Sequence, residues 1–221
     1  MELAIVLGVA GIIIGAIWSL SGTMYSDVEQ EKFSELLNVI VSNVRGNYAG
    51  KAFIETTLVP TTGGVPGMMP ILTSMNVFPG NTVHSVPNGT NGCAIAGGCS
   101  VVDSPFGEQS TTGLPAAGTP YNSIYVCGWN SLGSTRCTFT VATSTSNVPL
   151  FAIEALLSKG KNCINAAMMN SNPSTLAGLV GVYINGNPMT LPLTLSAASS
   201  AATGCEENAV NYVDFVFRLT P

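Results

Sequence analysis

The N-terminus of this chain is one uninterrupted apolar stretch, and it restricts the possible folds more than any other feature. Between residues 3 and 20 no side chain is charged, and Ser19 is the only hydroxyl. In an α-helix this stretch spans about 27 Å, close to the hydrocarbon thickness of a bilayer. Glu2 is the only charged side chain before Asp27, and a carboxylate at the tip of an apolar helix needs a partner.

Three interpretations of this stretch are open. A secretory signal peptide needs a basic n-region, but no Lys or Arg precedes Lys32, and Glu2 has the opposite charge. A single-pass membrane anchor is long enough, but no basic residue holds its N-terminus in the cytoplasm. A polymerisation helix, exposed by removal of a basic leader, accounts for the missing positive charge because that charge leaves with the leader.

The composition favours a low-charge surface. Charged residues make up only 9% of the 221 residues, whereas they are usually about a quarter of a soluble protein. The length indicates one globular domain in addition to the helix. With seven basic residues and a net charge of −5, the chain lacks the basic surface that nucleic-acid binding requires. Hydroxyl- and amide-rich surfaces suit packing against other copies, and they are equally usual in secreted proteins.

Six cysteines beside an export-type N-terminus indicate disulfides formed outside the cytoplasm. A zinc site is disfavoured, because no two cysteines are spaced as C-x2-C and His84 is the only histidine. We therefore predict disulfides and neither a metal nor another cofactor. Of the possible pairings we favour the sequential one: Cys93–Cys99, Cys127–Cys137 and Cys163–Cys205. The last bridge closes a long loop, which gives about 4 kcal/mol as an upper figure.

The chain divides into residues 1–25, the apolar membrane or polymerisation helix, and residues 26–221, a globular domain. Within that domain, residues 26–50 predict an amphipathic helix, because apolar side chains recur at steps of three and four. Such a helix is expected to cover a β-sheet with its apolar face. The predicted apolar face consists of Phe33, Leu36, Leu37, Ile40, Val41, Val44 and Tyr48.

Residues 51–120 are predicted to be an irregular connection. Eight of the 13 prolines lie between residues 60 and 120, together with many Gly, Ser, Thr and Asn, so regular structure should be sparse. A short helical turn is expected at residues 68–72. A connection of this length is usually functional or forms an interface.

Residues 121–221 are predicted to hold the β-sheet and the disulfide-bounded C-terminal region. Alternating, β-branched segments predict strands, and Asn185-Gly186-Asn187 predicts the turn of the second of two hairpins. Pro149 predicts the first turn of a helix. Trp129, in the first hairpin loop at 128–133, is expected to pack over a disulfide rather than to stand exposed. In order, the predicted elements are a strand at 123–127, a strand at 136–141, a helix at 148–157, a helical turn at 163–169, strands at 180–184 and 189–191, and a strand at 211–219.

The residues Met1-Glu2-Leu3-Ala4-Ile5-Val6-Leu7-Gly8, followed by a glycine-spaced Ile/Val run, resemble the mature N-terminus of type IV pilins and pseudopilins. The resemblance implies that Glu2 pairs with the α-amine of Met1 in a neighbouring copy, because a lone carboxylate is costly in an apolar filament core. Glycines at i, i+3 and i+7 would let neighbouring helices approach closely. The predicted assembly residues are Met1, Glu2, Gly8, Gly11 and Gly15.

The order of the predicted elements resembles that of the larger type IVb pilins. Residues 43–50, 65–70 and 147–149 are similar in particular to the PilS-type pilins of conjugative and enterobacterial pili. The resemblance implies an α+β fold. In it, a long N-terminal α-helix with a hydrophobic first half packs on an antiparallel β-sheet head domain that contains disulfides.

The function implied by the resemblance is that of a major pilin, a structural subunit that polymerises through its apolar helix into a type IV pilus. Such a filament lies on the bacterial cell surface and serves adhesion, conjugation or motility. The implied partners are other copies of the chain, the inner membrane before assembly, the prepilin peptidase and the pilus assembly machinery. The alternatives are a pseudopilin of a secretion system and a membrane-anchored, monomeric periplasmic or extracellular binding module that uses residues 60–120.

An enzyme is not predicted, because the chain contains no G-x-S-x-G, H-E-x-x-H, P-loop or G-x-G-x-x-G motif. His84 with Cys93 would imitate a thiol-protease pair, but a disulfide is the nearer use of Cys93. Glu206, Glu207 and Asp214 are expected to form a solvated acidic face rather than an acid–base pair.

Overall fold

The computed structural model describes residues 2–51, 68–80, 82–86, 99–106, 122–129, 150–174, 176–207 and 209–220. Within the first helix, side chains before residue 27 are described only for Gly8 and residues 11–15. The described elements in chain order are α1 (Glu2–Asn47), α2 (Met68–Ser74), β1 (Val83–Val86), β2 (Cys99–Asp103), β3 (Ser123–Trp129), β4 (Leu150–Leu157), α3 (Gly160–Met169), β5 (Leu179–Ile184), β6 (Asn187–Met189), α4 (Leu195–Ala198) and β7 (Asn211–Arg218).

The seven described strands form one antiparallel sheet in the order β1-β2-β3-β4-β7-β5-β6. Its centre is the β4–β7 pair, which runs in register from Leu150 opposite Arg218 to Leu157 opposite Asn211. β3 pairs with the other side of β4 along its whole length. The prediction of an α+β fold with an antiparallel sheet is therefore confirmed.

Residues 27–47 of α1 lie against one face of this sheet. The ring of Phe33 is centred 5.0 Å from that of Phe106 and 6.1 Å from that of Phe215 on β7. The buried side chains of this part of α1 recur every three or four residues, which is the spacing of one helical face. Together with a residue just beyond the helix, they are the seven that the sequence pattern predicts: Phe33, Leu36, Leu37, Ile40, Val41, Val44 and Tyr48.

Residues 150–157 form the central strand β4, and the prediction of a helix there is wrong. Their run of Leu, Phe, Ala, Ile and Glu suits a helix and also a strand that is buried on both faces. Seven of the eight residues of β4 are buried, including neighbours that point to opposite faces of the sheet. Burial on both faces therefore outweighs the helical preference of Leu, Ala and Glu.

β3 continues beyond the predicted strand, so Gly128 and Trp129 belong to the sheet and not to a loop. Its described partners are β2 and β4, while the other predicted strand of this hairpin, at 136–141, lies outside the described residues. Trp129 is 2% exposed, and its ring packs against that of Tyr183 with the centroids 5.0 Å apart. Trp129 is thus a buried side chain and not an exposed recognition residue.

Two short strands lie within the segment 51–120, which the sequence predicts to be irregular. β1 and β2 pair from Val83 opposite Val102 to Val86 opposite Cys99. They have four and five residues, which is too short for alternation to stand out among the surrounding turn-forming residues. The helix α2 lies where a helical turn is expected.

The hairpin of β5 and β6 confirms the turn predicted at Asn185-Gly186. Ile184 faces Asn187 across a two-residue loop, and φ is 50° at Asn185 and 82° at Gly186. Positive φ at both positions defines a type I′ turn, whose twist matches that of the strands it joins. β6 lies two residues earlier than predicted, and β7 matches the predicted last strand to within one residue.

Cys163 on α3 and Cys205 form a disulfide, with their Cα atoms 5.8 Å apart. This is the pair that sequential pairing predicts, and it ties α3 to the segment that leads into β7. Cys127 is also disulfide-bonded. Outside the described residues lie Cys93, Cys137 and the side chain of Cys99. The pairs that involve them stay predictions.

Candidate assembly site

The glycines of the apolar stretch lie along one side of α1. Gly8, Gly11 and Gly15 follow one another at steps of three and four residues, which keeps them on one helical face. All three are exposed, and a Cβ built on any of them has no described atom within 4 Å apart from the neighbouring backbone of its own helix. The isoleucines of residues 12–14 are 76%, 54% and 56% exposed. This part of α1 therefore presents bare apolar surface beside glycines that have open space around them.

The other two predicted assembly residues are Met1 and Glu2. Met1 lies outside the described residues. The backbone of Glu2 opens α1, but its side chain is not among those described, so its pairing with the α-amine of Met1 in another copy stays a prediction. Considering the side chains that the structure does describe, no helix combines the length and the apolarity needed to cross a membrane.

A groove of about 650 Å³ runs between α1 and the segments that precede β1 and follow β2. We call it the acidic groove. Its apolar walls are formed by Val28, Leu36, Val39, Pro79 and Pro105. Its charged lining consists of Glu29, Lys32, Glu35 and Asp103. The groove thus combines apolar walls with three carboxylates and one ammonium group.

Asp103 is the buried acid of this groove, with 7% of its surface exposed. Its Oδ2 lies 2.7 Å from Nδ1 of His84, a half-exposed residue on the neighbouring strand. The pairing of β1 with β2 sets this distance, because His84 and Asp103 lie on these two strands. The described partner of His84 is thus a carboxylate. Cys93, the thiol considered from sequence, lies outside the described residues.

Basic side chains gather at the C-terminal end of α1. Nε and Nη2 of Arg45 donate hydrogen bonds to the carbonyl oxygen of Arg218, at 3.1 and 2.9 Å. Burial lowers the pKa of Arg45. The Nζ atom of Lys51 lies 5.5 Å from the centre of the Tyr48 ring, within range of a cation–π interaction. We call Arg45, Lys51 and Arg218 the basic end.

The sheet contains a pair of buried carboxyl groups that the sequence pattern does not predict. Glu154 on β4 and Asp214 on β7 lie directly opposite each other, and both are fully buried. Tyr125 lies opposite Glu154 on β3, and Tyr183 lies opposite Asp214 on β5. The expectation that Asp214 belongs to a solvated acidic face is wrong, because β7 is a central strand whose residues are buried on both faces.

The sequence signal for this row of side chains is a single acid within each of two apolar strands, β4 and β7. Glu154 interrupts an otherwise apolar run, and the predicted helix would have given it a side toward water. In the sheet, burial raises the pKa of Tyr125 to about 12, and the negative charge of Glu154 adds to the effect. Over the described part of the chain, no three His, Cys, Asp or Glu side chains are grouped as a metal site requires.

The described residues define an α+β protein in which one helix covers an antiparallel sheet and continues into an exposed apolar segment. No family model matches the chain, and no curated protein matches it significantly. Among solved structures it is similar to the crystal structure of a type IVb pilin from Salmonella typhi, with 18% identity and a TM-score of 0.48, covering 84% of this chain and 97% of that chain. Similarity at this level does not assign the chain to a family.

Proposed function

We propose that this chain is the structural subunit of a type IV pilus filament on the bacterial surface. The apolar N-terminal helices of many copies pack in parallel in the filament core. Before assembly the same helix holds the subunit in the inner membrane, where the prepilin peptidase and the assembly machinery act on it. The finer assignment, a type IVb major pilin, rests on the sequence segments that resemble that family: the N-terminal residues and residues 43–50, 65–70 and 147–149.

The observation that carries the proposal is the exposed apolar surface of α1. The isoleucines of residues 12–14 are more than half exposed, next to glycines with open space beside them. Exposed apolar surface of this kind marks an interaction site. Its removal from water favours association by about 25 cal/mol per Å², and the glycines leave room for the close approach of another helix.

The packing of α1 supports the same conclusion. Residues 27–47 are held in the core by six buried apolar side chains of the helix, whereas residues 11–15 are exposed. One end of α1 is thus fixed to the sheet, and the other end is exposed for packing with helices of other copies. In a filament, this arrangement would hold each globular domain at a fixed position relative to the core of packed helices. This is the mechanical arrangement that a filament subunit requires.

The test compares fibre formation by the unaltered full-length protein, a version that lacks residues 1–25, the variant Glu2→Ala and a control variant. Each is purified in detergent, the detergent is removed, and the sample is imaged by negative-stain electron microscopy. We expect thin, uniform fibres from the unaltered chain and none from a version that lacks residues 1–25. Glu2→Ala is expected to leave a folded domain and to slow or abolish fibre formation, because the α-amine of the neighbouring copy loses its partner.

Glu206→Ala is the matched control, since it removes the same charge from an exposed position outside α1 and outside the acidic groove. It should assemble at the rate of the unaltered protein. Normal fibres from Glu2→Ala would disprove the pairing of Glu2 with Met1 and leave the filament function intact. Monodisperse particles from the unaltered chain, with no fibres, would contradict polymerisation itself.

A second candidate function is a membrane-anchored, monomeric binding module. The acidic groove favours it, because Pro79, Thr82 and Asp103 in its lining belong to the segment 60–120 that was expected to bind partners. This candidate predicts that the full-length protein stays monodisperse under the conditions above.

A further inference from the structure

We infer that the acidic groove of one copy receives the basic end of a second copy. The inference rests on the proposed filament function, and it adds a contact between globular domains to the contact between apolar helices. The occupant is another copy of this chain, oriented with its α1 in the same direction.

Among the described residues, none fills the groove on this side of α1. Val28 is 46% exposed, and with Leu36 and Val39 it forms an apolar wall that faces Pro79 and Pro105 across open space. An occupant therefore needs apolar surface for these walls and positive charge for the carboxylates around them.

Three exposed acids of α1, of which Glu35 lines the groove, carry more negative charge than the helix itself needs. Asp27, Glu31 and Glu35 are exposed and stand at four-residue steps, and like charges at this spacing destabilise a helix. The helix dipole does not account for them, because α1 begins at Glu2 and the dipole effect falls off within the first turn. Glu29 adds to the negative charge and Lys32 opposes it. A cationic surface laid against this face would relieve the repulsion.

The basic end has the composition that the groove requires. Neither residues 45–51 nor residues 216–220 contain an acid. The backbone N–H of Arg218 donates to the carbonyl oxygen of Gly178 at 2.9 Å. Val180, two residues after Gly178, is 41% exposed. Arg45, Lys51 and Arg218 are thus accompanied by an exposed apolar side chain, which matches the apolar walls of the groove.

The other described lysines outside α1 are less suitable. Lys159 and Lys161 flank Gly160, whose N–H donates to the carbonyl oxygen of Glu207 at 3.4 Å. Glu206 and Glu207 are both exposed at this point, so positive and negative charges are mixed there. The basic end is therefore the better complement for the acidic groove.

The two surfaces cannot meet within one copy. Of the groove carboxylates on α1, Glu35 lies nearest to the basic end, ten residues before Arg45 on the same helix, which separates the two by about 15 Å along its axis. This is about twice the screening length of about 8 Å at physiological ionic strength. Since the groove and the basic end are different surfaces, their contact is head-to-tail and can be repeated from copy to copy. Repetition of this kind produces an open chain of domains, as a filament requires.

The test exchanges the charges on the two surfaces of the full-length protein. Glu35→Lys alters the groove and Arg218→Glu alters the basic end; both side chains are exposed, and a third variant carries both changes. Fibres are quantified by sedimentation and electron microscopy after detergent removal. Lys161→Glu, an exposed charge reversal outside both surfaces, is the control, and thermal unfolding verifies that each variant is folded.

We expect each single reversal to lower the sedimented fraction about tenfold, since like charges then face each other. The double variant should recover most of the fibres, and Lys161→Glu should behave like the unaltered protein. Unimpaired single variants, or a double variant no better than the singles, would overturn this contact while fibres of the unaltered protein still support the filament function. Absence of fibres from the unaltered protein would overturn both proposals.

Discussion

The side chains of Asn185 and Asn211 are joined by a hydrogen bond, with Nδ2 of Asn185 donating to Oδ1 of Asn211 at 3.1 Å. Asn185 is the first residue of the turn between β5 and β6, and Asn211 opens β7. Asn185 also donates to the carbonyl oxygen of Gly204 at 3.0 Å and accepts from the N–H of Tyr212 at 2.9 Å. One turn residue thus connects the hairpin, the last strand and the segment that precedes Cys205.

Replacement of Asn211 by Ala should be strongly destabilising. Asn211 is fully buried; its Oδ1 accepts from the N–H of Glu206 at 2.7 Å, and its Nδ2 donates to the carbonyl oxygens of Glu206 and Ala209 at 2.8 and 3.1 Å. Ala removes these partners, and a buried polar group without its hydrogen bond costs about 1–3 kcal/mol. We expect the free energy of unfolding to fall by about 2–4 kcal/mol in urea denaturation.

Asn38→Ala is the control for Asn211→Ala. Nδ2 of Asn38 donates to the carbonyl oxygen of Ser34 one turn earlier in α1, at 3.0 Å, on the exposed side of the helix. Water replaces this bond, so the change should stay within about 0.5 kcal/mol. Similar losses for the two variants would show that the Asn211 network does not stabilise the fold.

Gly178→Ala should destabilise the protein through the contact between α1 and β7. Gly178 has φ of +75°, and a Cβ on it would overlap Nη2 of Arg45. Ala in this conformation costs about 1–2 kcal/mol, and the overlap pushes Arg45 away from the carbonyl oxygen of Arg218. We expect a total loss of about 2–3 kcal/mol in urea denaturation, because the hydrogen bonds of the guanidinium group are also weakened.

Gly46→Ala provides a control of opposite sign. Gly46 is exposed in the last turn of α1, and a Cβ on it meets no described atom within 4 Å apart from the neighbouring backbone of its own helix. Ala in a helix is more favourable than Gly by about 0.5–1 kcal/mol, so this variant should be slightly more stable than the unaltered protein. A similar loss of stability in Gly46→Ala would mean that replacing Gly by Ala is unfavourable at both positions. The left-handed conformation and the overlap with Arg45 would then not explain the loss in Gly178→Ala.

Local patterns predicted those elements whose burial is one-sided. The apolar face of residues 27–47 follows the helical period, and the Asn185-Gly186 turn follows from the need for positive φ at two positions. β7 is the exception: it is buried on both faces, and its Tyr, Val and Phe residues, which favour strands, identify it. The Cys163–Cys205 pair agrees with the sequential pairing that was favoured among the possible ones.

The central strand β4 and the buried acids Glu154 and Asp214 could not be predicted from local sequence patterns. β4 is buried on both faces, so it has no alternation, and its residues are good helix formers. The burial of Glu154 follows from the position of β4 between β3 and β7, which is a property of the whole sheet and not of neighbouring residues. For the same reason the acidic groove, which joins α1 to the segments beside β1 and β2, was not predicted.

The Cys163–Cys205 disulfide is expected to contribute substantially to stability. The bridge joins residues that are 42 positions apart, and restriction of such a loop in the unfolded chain gives up to about 4 kcal/mol. The variant with both cysteines changed to Ala should therefore unfold at a clearly lower urea concentration than the oxidised protein. Targeted substitution is preferable to a reductant, because Cys127 is also disulfide-bonded. An unchanged midpoint would show that the bridge adds no stability.

The buried tyrosine of the sheet should make stability depend on pH in the alkaline range. Burial raises the pKa of Tyr125 to about 12, whereas a tyrosine in an unfolded chain ionises near pH 10. The folded state therefore holds the phenolic proton more tightly than the unfolded state. Its contribution to stability is complete below about pH 10 and is lost as the pH rises through 12, by about 2–3 kcal/mol in total.

Tyr125→Phe isolates this contribution, because Phe keeps the ring and removes the ionisable hydroxyl. The free energy of unfolding of both proteins is measured in urea at several pH values between about 8 and 12, the range in which tyrosine titrates. The difference between the two free energies of unfolding should be constant up to about pH 9. At higher pH the unaltered protein should lose about 2–3 kcal/mol relative to Tyr125→Phe. Parallel curves for the two proteins would show that the Tyr125 hydroxyl ionises in the folded state as readily as in the unfolded state, and would contradict its burial beside Glu154.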